Sequence, residues 1–443
     1  MQIIRNKEVT RLTINAEGRK SSGVTRSGNL MDPSPSDAPL TFRQQVAGIA
    51  GTAGLCALAL LWPVLGNTAA YLALVLLLAG ALIGWRNEDI RALSQRKWVR
   101  AYWLGFGLLT LAFLVQGDVP GMAAIGDFLI FALAPLYALA LAPARKWLTL
   151  SRLSWLCALS AAVAAAVGLW GMWQGQERVT ALSLSPIHFA DFAVILGFMA
   201  LAGTLGRREL GWPLLWAGPL LAVVATVAAS TRGALLTALI LAAIYGIMAM
   251  RGMTGRARWM LPLGLIGAVL LVFGAAHALG FTRPLEALDP IIALLQGKLP
   301  SDTSALFRVE MYHGGLGAFL DRPLFGHGWH DQLAASLPYM SDVGRDGYAL
   351  EGWGYIHNDA MSFAVGAGLL GVLAYVLFLL APVFAQSETG GHADGDARLY
   401  LVLALVVGLF ASGMTDALFM VEIPKLLLVT IAAAMAPLNG RAA

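Results

Sequence analysis

Residues 212–250 read WPLLWAGPLLAVVATVAASTRGALLTALILAAIYGIMAM. A helix needs about 20 mainly apolar residues to cross the roughly 30 Å hydrocarbon core of a bilayer. Two such runs, 212–230 and 233–250, lie here back to back with Ser230-Thr231-Arg232-Gly233 squeezed between them. The stretch therefore reads as a transmembrane hairpin with one cation at its tip. Working outward, ten further apolar runs qualify, at about 46–66, 69–85, 101–116, 121–141, 153–173, 187–206, 260–280, 360–384, 399–413 and 417–436. The expected fold is an all-α polytopic membrane protein of about 12 transmembrane helices.

Composition agrees. Of 443 residues, 58% are hydrophobic and 13% charged, against about half and a quarter in a soluble globular chain. A single water-soluble domain is excluded. The formal net charge of +4 comes from cations scattered between apolar runs rather than gathered on one soluble face, so nucleic acid is not an expected partner. Cys56 and Cys157 both sit inside apolar runs, which leaves neither a disulfide framework nor a cysteine zinc site.

Short basic loops stay cytoplasmic. The N-terminal segment and the loops holding Arg86 to Arg100, Arg145 to Arg152, Arg207 with Arg208, and Arg251 to Arg258 share one side with Arg398 and Arg441. Both termini are thereby expected in the cytoplasm. Arg178, Arg232, Arg283, Lys298, Arg308, Arg322, Arg345 and Lys425 are the exceptions, on or near the outer face. Residues 1–43 are polar and rich in Ser, Pro and Arg, an expected disordered cytoplasmic segment with no early apolar core of a cleavable signal; Met31 is a candidate native start. Helices one to nine would occupy 44–280, an outer region 281–358, and the last three helices with the C-terminus 359–443.

The outer region is the one place large enough for an extramembrane site. It holds Arg308, opening a stretch with helical apolar spacing, then the turn-rich Arg322–Trp329 sequence RPLFGHGW, then His357-Asn358 where the chain re-enters an apolar run carrying Gly366, Gly368 and Gly371. An arginine at a membrane boundary either snorkels to the interface or grips an anion; a guanidinium fork suits phosphate. A neutral imidazole accepts a proton from a hydroxyl, though a lone loop histidine is also a common structural element. Arg178 beside Glu177 serves an anionic headgroup or a local ion pair. His188 and Asp191 read as interhelical hydrogen-bonding groups, and Asp118, Asp416, Glu422 and Lys425 as local ion pairs at helix ends. His327-x-x-His330-Asp331 lacks the partners of a recognised metal pattern, so no metal is expected.

In this order, S-T-R-G between two spans, an arginine opening a helix before R-P-L-F-G-H-G-W, and H-N before a glycine-spaced span resemble the O-antigen ligase and polymerase superfamily of bacterial inner membranes. The likeness runs from about Arg178 to Gly371, with 76 residues from Arg232 to Arg308 and 49 from Arg308 to His357, and suits the ligase branch. It implies a membrane-embedded fold of the GT-C type with one large periplasmic loop between helices nine and ten. It further implies an inverting, metal-independent glycosyltransferase without cofactor. The donor would be polysaccharide on undecaprenyl pyrophosphate and the acceptor a sugar hydroxyl of lipid A-core, with membrane lipids around both. By match of motif, Arg232 and Arg308 take the diphosphate-binding positions, His357 the essential histidine, and Arg178 a further basic position near the donor. Lysine at either arginine is expected to lose the fork. The rivals are an O-antigen polymerase, a protein O-oligosaccharyltransferase and, from another class, a lipid-linked glycan transporter; a transporter would carry its polar groups at the bilayer midplane.

Overall fold

The computed structural model describes residues 40–436 apart from 118, 207–210, 252–254, 256, 279–292, 294, 299, 301, 353 and 389–393. The expectation of disorder over 1–43 thus falls mostly outside the described residues. Its last part is helical. Helix α1 (Phe42–Leu65) starts four residues ahead of the apolar run because Thr41 and Gln44 form a reciprocal capping box.

The described residues are helical, with turns and no strand. Among the described residues seven helices are long and apolar enough to cross a membrane: α1, α4 (Lys97–Gln116), α8 (Leu150–Trp173), the pair α9 (Pro186–Met199) and α10 (Ala202–Leu205), α12 (Gly233–Met250), α17 (Asp359–Ser387) and α18 (Gly395–Gly413). There are eight if α2 (Thr68–Ile83) and α3 (Asn87–Ser94), which meet at 118°, form one span. The other expected runs form shorter or interrupted helices. Run 121–141 is α5 (Val119–Asp127), α6 (Leu129–Ala132) and α7 (Ala134–Leu141); run 212–230 is a 3-10 turn followed by α11 (Ala217–Ala228). Run 260–280 lies mainly in α13 (Ala257–Ala278), which contains Pro262, and run 417–436 is a 3-10 turn followed by α19 (Glu422–Met435). Apolar content says that a segment prefers lipid; proline and local turns decide whether it stays one unbroken rod.

Lipid tails are as apolar as leucine, so helices associate in a bilayer through close packing of small residues rather than by escape from water. The contact between α1 and α7 is of this kind: a Cβ added at Gly51 would lie 2.3 Å from the Ala140 carbonyl oxygen. Between α4, α6 and α17 the packing is aromatic. Phe131 stacks on Phe378 with ring centroids 3.7 Å apart, and Tyr102 stacks on Phe131 at 5.2 Å. Trp329, from the outer segment, plugs the same cluster against Phe128 and Phe363, each at 4.9 Å. Such pairs add about 0.5–1.5 kcal/mol each beyond area buried, which ties the outer segment to the bundle.

The outer segment consists of α14 (Thr303–Asp321), α15 (Gln332–Ser336) and α16 (Asp342–Glu351); residues 281–292 of the expected loop lie outside the described residues. Between α14 and α15 the R-P-L-F-G-H-G-W sequence forms a turn-rich strap. It fits into a break in α17 at Gly368, whose φ of 64° and ψ of −149° leave the helix. The break frees backbone groups that must find partners away from water. The strap supplies them: Leu369 N–H donates to the Pro323 carbonyl at 2.7 Å, and His327 and Gly328 N–H donate to the Val365 and Gly366 carbonyls at 2.8 and 3.0 Å. Gln116 at the end of α4 clamps both sides, its Nε2 donating to the Phe325 and Gly366 carbonyls at 2.6 and 2.9 Å. A Cβ on Gly368 would lie 2.4 Å from the Leu324 carbonyl carbon, so close approach and positive φ both require glycine there.

Candidate functional site

The turn Met414-Thr415-Asp416-Ala417, after the end of α18, collects side chains from distant parts of the chain. Asp416 is fully buried. Its Oδ1 accepts from His357 Nδ1 at 2.6 Å and from its neighbour's Ala417 N–H at 2.9 Å. From the opposite side His188 Nε2, on the first turn of α9, lies 3.4 Å from Oδ2. Burial by itself would raise the Asp416 carboxyl. His188, the hydrogen bond and charge of His357 and the Ala417 N–H outweigh it and hold the group at about 2. An ionised carboxylate only accepts, so Nδ1 carries a hydrogen on His357, and in the neutral imidazole Nε2 is then the atom with the lone pair. His357 is 21% exposed, a base held from behind and open in front.

The three residues entering α17 are each fastened to that turn or just past it. After His357, Asn358 donates from Nδ2 to the Met414 carbonyl at 3.2 Å while its Oδ1 caps the helix on Met361 N–H at 2.9 Å. Asp359 Oδ1 accepts from Phe419 N–H at 3.0 Å. Tyr312 of α14 spans the gap, its hydroxyl 3.0 Å from the His357 carbonyl and 2.9 Å from the Met414 carbonyl. Burial raises the Tyr312 phenol, so it remains a donor.

Arg308 reaches the same turn one residue earlier. Its Nε donates to the Thr415 carbonyl at 3.2 Å and its Nη1 to Ser304 Oγ at 2.6 Å. Gly233 faces Thr415 from the hairpin tip; a Cβ there would meet Thr415 Oγ1 at 2.6 Å. This contact brings Arg232 alongside. Arg232 Nη2 donates to both oxygens of Asp302, at 2.7 and 2.5 Å, where Asp302 stands at the start of the helix that carries Arg308. The hairpin tip itself is tight, with Ser230 at φ 51°, and Ser230 Oγ donates to the Glu177 carbonyl at 3.2 Å. Val179 N–H bonds the Ala228 carbonyl at 3.0 Å. Arg178, between Glu177 and Val179, therefore lies exposed beside the tip.

Arg308 and His357 thus bond this turn directly, Arg232 adjoins it through Gly233, and Arg178 lies beside the hairpin tip. The His327-x-x-His330 pair diverges. His327 Nε2 lies 2.8 Å from the Ala318 carbonyl, whereas His330 lies 3.4 Å from Asp127. Among the described residues no group of three or more His, Cys, Asp or Glu is arranged to hold a metal. Lys425 forms the local pair expected of it, 3.0 Å from Glu422. Asp416 does not: its partners are 59 and 228 residues away in sequence, which corrects the expectation of a local ion pair. One available signal was a lone carboxylate between two apolar runs, costly there unless paired. A cleft of about 560 Å³ lies elsewhere, lined by Leu205, Gln386, Asp394 and Leu399 among others. The cluster forms a partly exposed rim, with 21% of the His357 side chain and 22% of the Arg232 side chain open.

Fold and site together define a polytopic membrane protein with cations and a carboxylate-backed imidazole gathered at one end of its helices. Residues 217–376 match the family model described as O-antigen ligase, which supports an O-antigen ligase-family protein. The match takes in Arg232, Arg308 and His357 and ends before Asp416. No curated protein matches the sequence.

Proposed function

We propose that the protein transfers O-antigen polysaccharide from undecaprenyl pyrophosphate to a sugar hydroxyl of lipid A-core, by inversion and without a metal. The observation that carries this reading is the meeting of Arg308, His357 and the Arg232 tip around Thr415 and Asp416. A lipid diphosphate is a good leaving group and needs no general acid. His357 Nε2 takes the hydroxyl proton as the acceptor oxygen attacks the anomeric carbon. The bond from that carbon to the phosphate oxygen breaks on the opposite face, and its electron pair leaves with the diphosphate. Arg232 and Arg308 bind the diphosphate and stabilise the charge that develops on it, with Arg178 as a further donor contact. Such preoriented contacts are worth about 10²–10³ in rate each. Asp416 holds the tautomer and stabilises the imidazolium that forms.

In the topology we propose, twelve passes of a GT-C-like fold put both termini in the cytoplasm of the inner membrane and the rim in the periplasm. A mixture of purified chain, lipid-linked glycan, lipid A-core and EDTA tests the chemistry. High-molecular-weight lipopolysaccharide should form, and should not form with His357→Ala, Arg232→Ala or Arg308→Ala. Loss of wild-type activity to EDTA, or full activity of Arg232→Ala, overturns the mechanism. In cells, a strain lacking the protein should make bare core and accumulate lipid-linked polymer; core bearing a single repeat would mark a polymerase instead.

A further inference from the structure

Arg232 is already occupied by an anion from its own chain. A single guanidinium nitrogen bridges both oxygens of Asp302, at 2.7 and 2.5 Å, in a pair of which 22% and 27% of the side chains remain exposed. Two oxygens on one guanidinium are what a phosphate would present there. Asp302 is also the N-cap residue of α14. Its backbone has the extended angles of a capping residue, φ −74° and ψ 120°, yet its side chain makes no cap hydrogen bond. Aspartate is among the strongest N-cap residues, and a carboxylate gains from the positive end of a helix. The carboxylate forgoes this nearby resting place for Arg232.

We infer that Asp302 is a stand-in anion that occupies the donor-phosphate position on Arg232 and is exchanged for the diphosphate when donor binds. Released, it turns back toward the Ser304 amide in the first turn and caps the helix that carries Arg308. The exchange keeps a buried-edge guanidinium paired at every stage and removes a carboxylate that the diphosphate would repel. It also makes donor affinity a competition, because a ligand pays for every molecule in which its site is filled by the internal competitor. Asp302 is a positioning residue in this scheme; it acts through Arg232 and sets the selectivity of the rim for multiply charged anions over weaker ones.

The inference rests on Arg232 as a donor ligand, and the test separates the two. The full-length chain in lipid nanodiscs is titrated with undecaprenyl diphosphate. Asp302→Asn and Asp302→Ser both retain a good N-cap and cannot neutralise Arg232. Both should bind about tenfold tighter, as for loss of a competing charged hydrogen bond, and should lower the donor KM without raising kcat. Arg232→Ala should bind at least about tenfold weaker, and adding Asp302→Asn to it should change nothing. Equal or weaker binding by the two Asp302 variants, with Arg232→Ala still impaired, overturns the stand-in role and leaves Asp302 as a tether for α14. Normal binding by Arg232→Ala overturns the donor-site reading itself.

Discussion

Replacing Asp416 by Asn removes one charge while leaving an oxygen able to accept from His357 Nδ1 and the Ala417 N–H. The site holds this carboxyl at about 2 against an ordinary 3.8, a preference for the ionised form of about 2.4 kcal/mol at 1.36 kcal/mol per tenfold. When His357 takes the acceptor proton, the imidazolium lacks its carboxylate partner; a hydrogen bond to a charged group is worth about 1.5–3 kcal/mol, and its loss slows the step roughly 10–150-fold. An amide can also present its NH₂ to His357 and select the wrong tautomer, as in the serine protease precedent where the equivalent change costs about 10⁴. The expected kcat of Asp416→Asn is therefore on the order of 10²–10⁴ below wild type, with donor affinity unchanged because no arginine contact is touched. Single-turnover transfer to lipid A-core, resolved on a gel, measures the rate, and undecaprenyl diphosphate binding by the same preparation controls for folding. Transfer within threefold of wild type would refute the role of Asp416 and with it the assignment of His357 as the base.

Other expectations follow from particular contacts. The folded Asp416 value lies below the ordinary one, so its stabilisation is present above about pH 4 and fades as pH falls through about 2; the melting-temperature gap between wild type and Asp416→Asn in detergent should narrow as the pH falls below about 4. Arg232 uses one nitrogen on Asp302, whereas Arg308 uses two on separate partners. Lysine should hurt at either position but unequally: Arg232→Lys should lose about fivefold in transfer, and Arg308→Lys about 10² or more. Gly368→Ala places a Cβ against the Leu324 carbonyl at positive φ, costing about 3 kcal/mol or more, and should abolish the monodisperse detergent peak. Gly107→Ala, with open space at its Cβ, should leave that peak intact.

Much of the site was legible because its chemistry resists its surroundings. Arg232 and Arg308 stand out as cations on the face that short basic loops avoid, and His357 borrows meaning from them. Asp416 was harder to see. It lies 59 residues beyond His357, outside the order of motifs, and a carboxylate at a helix end has an ordinary explanation that only tertiary structure removes. Asp302 was hidden for the same reason: its partner is on another element. The all-helical, apolar fold follows from composition and run length. The number of unbroken helices does not, because runs such as 121–141 satisfy hydropathy while the backbone turns at Phe128 and Leu133.

The strap seated in the break of α17 has a bearing on how such proteins can be recombined. Four backbone hydrogen bonds and a glutamine clamp join 323–328 to 365–370, so neither stretch keeps its partners if the other is replaced. Chimaeras that graft a foreign outer segment onto this bundle to alter substrate preference will need to carry the matching portion of α17 across with it, cutting after Leu370 rather than at the apparent membrane surface near Asn358.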